Sequence, residues 1–180
     1  MKLYRLGVFP LHSKGLLGIL TSPFVHGDFE HLMANTIPIF ALSWGIFYFY
    51  RKLAFRIVLY CLLTTNILLW LSGREAWHIG ASGLIYAFAS FLFFSGIFRN
   101  YYRLIAISFI VVFLYGGMFW GMFPILKDVS WEGHLFGACS GLIYAFAFRK
   151  QGPQKPPVVW EDDDEDTIPE EIWNHENQGE

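Results

Sequence analysis

Residues 76–90 read Ala-Trp-His-Ile-Gly-Ala-Ser-Gly-Leu-Ile-Tyr-Ala-Phe-Ala-Ser. Within them Gly80-Ala81-Ser82-Gly83 sets one hydroxyl between two glycines at the start of an apolar run. A serine there can cap a helix. It can also be a nucleophile, because small neighbours let a second helix or a substrate backbone come close. For an isolated G-x-S-G, capping is the commoner use. The polar residues of the other apolar segments decide which applies.

Those segments are set out by where charge is missing. Charged residues make up 16% of the chain, and none falls in 32–50, 57–73, 76–98, 104–126 or 133–148. A membrane helix needs roughly 20 apolar residues. Each window is of that order, so five spans are expected: about Leu32–Tyr50, Ile57–Ser72, Ser82 to the residue before Arg99, Leu104–Trp120 and Gly133–Phe148. A very apolar soluble bundle would carry polar stripes at helical period, and none is visible. The expected fold is an all-α polytopic transmembrane helix bundle. A net charge of −2 excludes a nucleic-acid partner. Cys61 and Cys139 both lie in apolar spans, so no disulfide framework is expected.

The segment 1–30 is mixed and broken by Pro10 and Pro23. It lacks the charged start, apolar core and small-residue cleavage site of a signal peptide. It reads as a loop lying on the membrane, ahead of a transmembrane core over 31–150. The tail 151–180 holds ten of the fifteen acidic residues, including the run Glu161–Asp166, together with four prolines. That composition reads as a disordered, solvated tail. A partner-binding segment around Ile168–Trp173 is the alternative use.

Lys and Arg set the orientation. Arg51, Lys52, Arg56, Arg99, Arg103, Arg149, Lys150 and Lys155 fall on one side, and Lys2, Arg5, Lys14, Arg74 and Lys127 on the other. The first side is expected to be cytoplasmic. The chain then starts outside, which an upstream span or a late-assigned start would account for.

Topology brings the polar residues together. His31 and Asn35, four apart, share a helix face at the entry to the first span. Ser82 opens the third span and His134 the fifth. The chain crosses twice between each of these sites, so all lie at the outer leaflet, in helices running inward. Helix N-termini carry partial positive charge and free N–H groups, which suit a developing oxyanion. A serine, a histidine and extra donors at one depth make an acyl-transfer site. Two rivals remain. Ser140 begins an octapeptide, Ser-Gly-Leu-Ile-Tyr-Ala-Phe-Ala, that repeats residues 82–89, but it lies deeper on the His134 helix. His78 is a rival base in the loop before Ser82.

These motifs resemble those of the rhomboid intramembrane serine proteases. They are His26-Gly-Asp-Phe-Glu-His31-Leu-Met-Ala-Asn35, then Gly80-Ala-Ser82-Gly83, then Gly133-His134-Leu-Phe-Gly137-Ala-Cys-Ser-Gly141. The resemblance covers about residues 7–148, in order. It implies a Ser–His dyad in which Ser82 is the nucleophile and His134 the general base and then acid, with no metal or cofactor. It implies an oxyanion hole from the Ser82 N–H, His31 and Asn35, with Tyr86 packed on the histidine ring and His26 lining the site. Gly137 and Gly141 would let the His134 helix press on the Ser82 helix beside Gly80 and Gly83. The family core has six spans, of which five are seen here. The resemblance further implies a cap over the site from residues 121–132 and the fourth span as a gate. The implied partners are single-span membrane substrates and the lipid bilayer, and the implied setting is a bacterial inner membrane with the site facing outward. Two other classes stand beside this reading. One is a catalytically silent relative that binds membrane clients. The other is a transporter, which would want ionisable groups along a midplane path.

Overall fold

The computed structural model describes residues 3–125 and 129–155. The acidic run and the Ile168–Trp173 segment lie outside the described residues. Among the described residues six α-helices are formed: α1 Gly18–Thr21, α2 Phe29–Phe49, α3 Ala54–Ser72, α4 Ser82–Arg99, α5 Tyr102–Tyr115 and α6 Trp131–Ala147. A 3-10 segment, Gly116–Met122, continues α5.

Helix ends follow local chemistry. Asp28 caps α2 by accepting from the His31 N–H at 2.7 Å. Asn100 ends α4 in the left-handed region, φ 45°, a conformation that asparagine tolerates better than most residues. Before α2 the chain forms short turns rather than a span. One of them is pinned to the loop before α4, where Val8 and His78 exchange backbone hydrogen bonds at 2.9 and 2.8 Å.

Among the described residues four helical stretches are long and apolar enough to cross a membrane: Phe29–Phe49, Ala54–Ser72, Ser82–Arg99 and Tyr102–Met122. The fifth expected span, α6, has 17 residues and reaches about 26 Å. That is shorter than a bilayer core of about 30 Å. The fourth expected span differs in form. It is α-helical only to Tyr115 and then tightens into the 3-10 segment.

The central element is α4, the most buried of these spans: 56% of it is inside the protein, against 33% for α3 and 17% for α2 and for Tyr102–Met122. It packs against α2, α3, α5 and α6. The outer faces of α2 and α5 carry large exposed apolar side chains, among them Phe40, Trp44, Phe109 and Phe113. Water would not tolerate such a belt on a monomer, whereas lipid does. The tightest interface joins α4 to α6. A Cβ at Gly137 would overlap the Gly83 carbonyl, and one at Gly141 the Ala87 carbonyl. With lipid as solvent, close backbone packing holds helices together where apolar burial cannot.

Arg99 departs from the expected pattern of surface charge. It is buried at the end of α4 and donates to Phe148 O at 2.7 Å and Gln151 O at 2.8 Å, and also to Ser95. A cation placed there ties the turn that follows α6 to the end of α4, adding to the bond that Phe148 O already accepts from Gln151 N at 2.8 Å.

Candidate active site

Ser82 is the first residue of α4. It is not the cap. Ala81 holds that position and offers no side-chain bond, so the first N–H groups of α4 have no capping side chain. The turn that delivers Ser82 depends on Gly80, whose φ is +100°. An L-residue resists that conformation. A Cβ at Gly80 would also meet the His31 ring at 2.7 Å. Gly80 therefore serves both the turn and the packing of His31 against it.

His134 lies in the first turn of α6, 7% exposed. Its Nε2 is 2.8 Å from Ser82 Oγ and its Nδ1 is 2.9 Å from Gly121 O. A carbonyl only accepts, so Nδ1 carries the proton. Nε2 is then left with its lone pair toward the Ser82 hydroxyl, which donates. This is the tautomer a general base requires. Tyr86, one turn below Ser82, stacks on the imidazole with centroids 4.2 Å apart and planes at 11°. Its hydroxyl donates to Met118 O at 2.5 Å.

Around this pair runs a cavity of about 700 Å³ between α2 and the end of α5, lined by His31, Asn35, Ser82, Tyr115, Met118 and His134 among others. Asn35 is buried and its amide donates to His31 O at 2.7 Å. The His31 ring packs edge-on to His26 at 5.1 Å. His26 Nε2 is buried with no hydrogen-bond partner among the described residues. Burial, with His31 beside it, lowers the His26 pKa below the ordinary imidazole value. On the far side of Ser82 a second cavity, of about 20 Å³, is lined by Ser22, Thr65, Asn66, His78 and Ser130 among others. It has room for a single water.

Neither rival bonds to the Ser82–His134 pair. His78 accepts from Ser130 Oγ at 2.6 Å through Nδ1 and donates to Arg74 O at 3.0 Å through Nε2. Burial lowers its pKa. Ser140 is fully buried, its hydroxyl without a partner among the described residues. Thus the structure brings Ser82, His134 and Tyr86 into contact and sets His31 and Asn35 on the same cavity, with His26 against His31. It uses Gly80, Gly83, Gly137 and Gly141 for close approach. Sequence reading missed the carbonyls of Gly121 and Met118, because side-chain motifs carry no signal for a backbone acceptor.

The model of the Rhomboid domain matches residues 13–151, which takes in the capped α2, the Ser82 turn and all of α6. The chain belongs to the rhomboid family. It is an integral membrane protein with a rhomboid-like helical bundle. Similar chains include uncharacterized proteins of Mycobacterium bovis and Mycobacterium tuberculosis, each 38% identical over 154 residues. Those matches cover 78% of this chain and 62% of each relative. An uncharacterized protein of Mycobacterium leprae is 34% identical over 161 residues, covering 78% of this chain and 59% of that one. This rhomboid chain therefore spans about three-fifths of the length of the curated relatives it matches.

Proposed function

We propose that this rhomboid is an intramembrane serine protease, with Ser82 as nucleophile and His134 as general base and then acid. The observation that carries the reading is the 2.8 Å contact between Ser82 Oγ and the unprotonated nitrogen of His134, inside a cavity between apolar helices. Ser82 Oγ gives its proton to His134 Nε2 as it attacks the scissile carbonyl carbon. The oxyanion forms beside the uncapped N–H groups of α4, with the Asn35 amide and His31 on the same cavity. His134 then protonates the leaving amine. Water, deprotonated by the same nitrogen, splits the acyl-enzyme.

The substrate must present an extended backbone, because a helix hides its carbonyls in its own hydrogen bonds. A single-span helix, unravelled near its outer end, meets that need. Such a substrate reaches the cavity from the bilayer, and no metal or cofactor enters the mechanism. The asymmetry of Lys and Arg supports an outward-facing site with the acidic tail in the cytoplasm. The mycobacterial relatives support a bacterial cell membrane. The alternative, a silent client-binding relative, is disfavoured by the intact Ser82–His134 contact.

Cleavage of a model single-span substrate in liposomes tests this. Ser82→Ala is expected to abolish cleavage. Ser140→Ala, which removes an unpartnered buried hydroxyl, is expected to leave it intact. A folded wild-type chain that binds the substrate and never cuts it would overturn the reading in favour of client binding.

A further inference from the structure

The proton on His134 is held at Nδ1 by the carbonyl of Gly121, and the local sequence explains why that carbonyl is free. Gly121 lies near the end of the 3-10 segment Gly116–Met122. In such a helix each carbonyl accepts from the N–H three residues on. The preceding carbonyl obeys this rule: Trp120 O accepts from Phe123 N at 3.2 Å. For Gly121 the residue three on is Pro124, which has no N–H. Ile125 N is no substitute, since it donates to Phe123 O at 2.8 Å. A carbonyl left unpaired in an apolar bundle is costly, so it takes the donor that faces it.

Gly121 is needed for the approach. A Cβ there would overlap the Tyr86 hydroxyl and come within 3.2 Å of His134 Nδ1. The neighbouring Met118 O accepts from that same tyrosine. Two carbonyls of one short turn thus hold the two stacked rings, one each.

We infer that Gly121 and Pro124 are positioning residues, with Pro124 sparing the Gly121 carbonyl to act as the third, backbone member beside Ser82 and His134. In this arrangement the carbonyl does the orienting that a carboxylate does in a Ser-His-Asp triad. It fixes the tautomer and the ring plane, and it adds no charge to the apolar interior. The catalytic consequence rests on the proteolytic reading above, whereas the tautomer itself does not.

The test uses the full chain in micelles with ¹⁵N-labelled histidine. His134 resonances are assigned by their loss in His134→Gln. The wild type is expected to show a protonated Nδ1 and an unprotonated Nε2. Pro124→Ala restores an N–H that competes for Gly121 O. Mixed tautomers at His134 are expected there, together with a kcat about tenfold lower and KM within about twofold. Lactic acid in place of residue 124 forms an ester with the alanine side chain and no N–H, and is expected to return both readouts to wild type. An unprotonated Nδ1 in the wild type would overturn the inference. So would equal defects in the alanine and ester variants, which would assign the effect to the proline ring. If the wild type cuts nothing, the nitrogen spectrum alone decides.

Discussion

Gly137→Ala adds one methyl group at the α4–α6 interface, and its consequence can be worked through from the packing. The new Cβ would overlap the Gly83 carbonyl and lie 3.2 Å from Tyr86 Cβ. The overlap is backbone against helix, so no side-chain rotation relieves it. The helices must part by roughly 1 Å to restore ordinary contact. Ser82 and His134 sit on opposite sides of that same interface, bonded at 2.8 Å. A shift of that size takes the pair past hydrogen-bonding range. A misplacement of about 1 Å at reacting groups costs on the order of a hundredfold in rate. Overpacking should also cost about 1–3 kcal/mol of stability, offset by up to about 1 kcal/mol from alanine's better helix propensity. The control is Gly45→Ala in α2, where the Cβ meets only the two methyls of the Leu92 side chain, at 3.3 and 3.9 Å. There the propensity gain should prevail, leaving activity unchanged and stability equal or higher. Both are measured as kcat/KM on a single-span substrate and as unfolding temperature in micelles. A Gly137→Ala chain with wild-type kcat/KM and unfolding temperature would refute the claim that backbone contact between α4 and α6 sets the dyad distance.

Two further outcomes are expected. Arg99→Met removes the guanidinium from Phe148 O and Gln151 O, leaving Phe148 O with the Gln151 N–H, and should lower stability by roughly 2–3 kcal/mol, with Arg99→Lys recovering part of it; unchanged unfolding temperatures would remove the clamp role. His78 gives a pH signature: burial holds its folded pKa below the unfolded value of about 6.5. The unfolded chain then binds more protons between the two values, so stability is present above pH 6.5 or so and is lost as pH falls through that window. His26 carries the same sign, so His78→Gln should flatten the acid slope of unfolding temperature in part, and an unaltered slope would contradict the assignment.

Much of this protein is legible in one dimension because lipid imposes strict local rules. A charge-free run of span length is visible without a fold, since a charged group in the bilayer is costly wherever the helix sits. That rule marked the helices now seen as α2 to α6, and the fourth expected span lies within the helical stretch Tyr102–Met122; it carried no sign of the change to a 3-10 helix at Gly116. Counting crossings placed Ser82, His134, His31 and Asn35 at one level. Even the pairing of small faces was readable, in Gly83, Gly137 and Gly141.

Other features depend on which distant residues meet. The sequence does not show that Arg99 turns inward onto Phe148 and Gln151, because a basic residue at a helix end reads as an interfacial charge. Nor does it show that His78 is occupied by Ser130 and Arg74, or that Ala81, not Ser82, occupies the cap. The tautomer of His134 depends on a carbonyl 13 residues away, and every residue has a carbonyl. Sequence by itself determined the spans, their order and the side chains available for chemistry, because those follow from composition and period along one helix. Tertiary structure decided which nitrogen of His134 faces Ser82, because hydrogen-bond direction is set only when two backbones and two rings share one space.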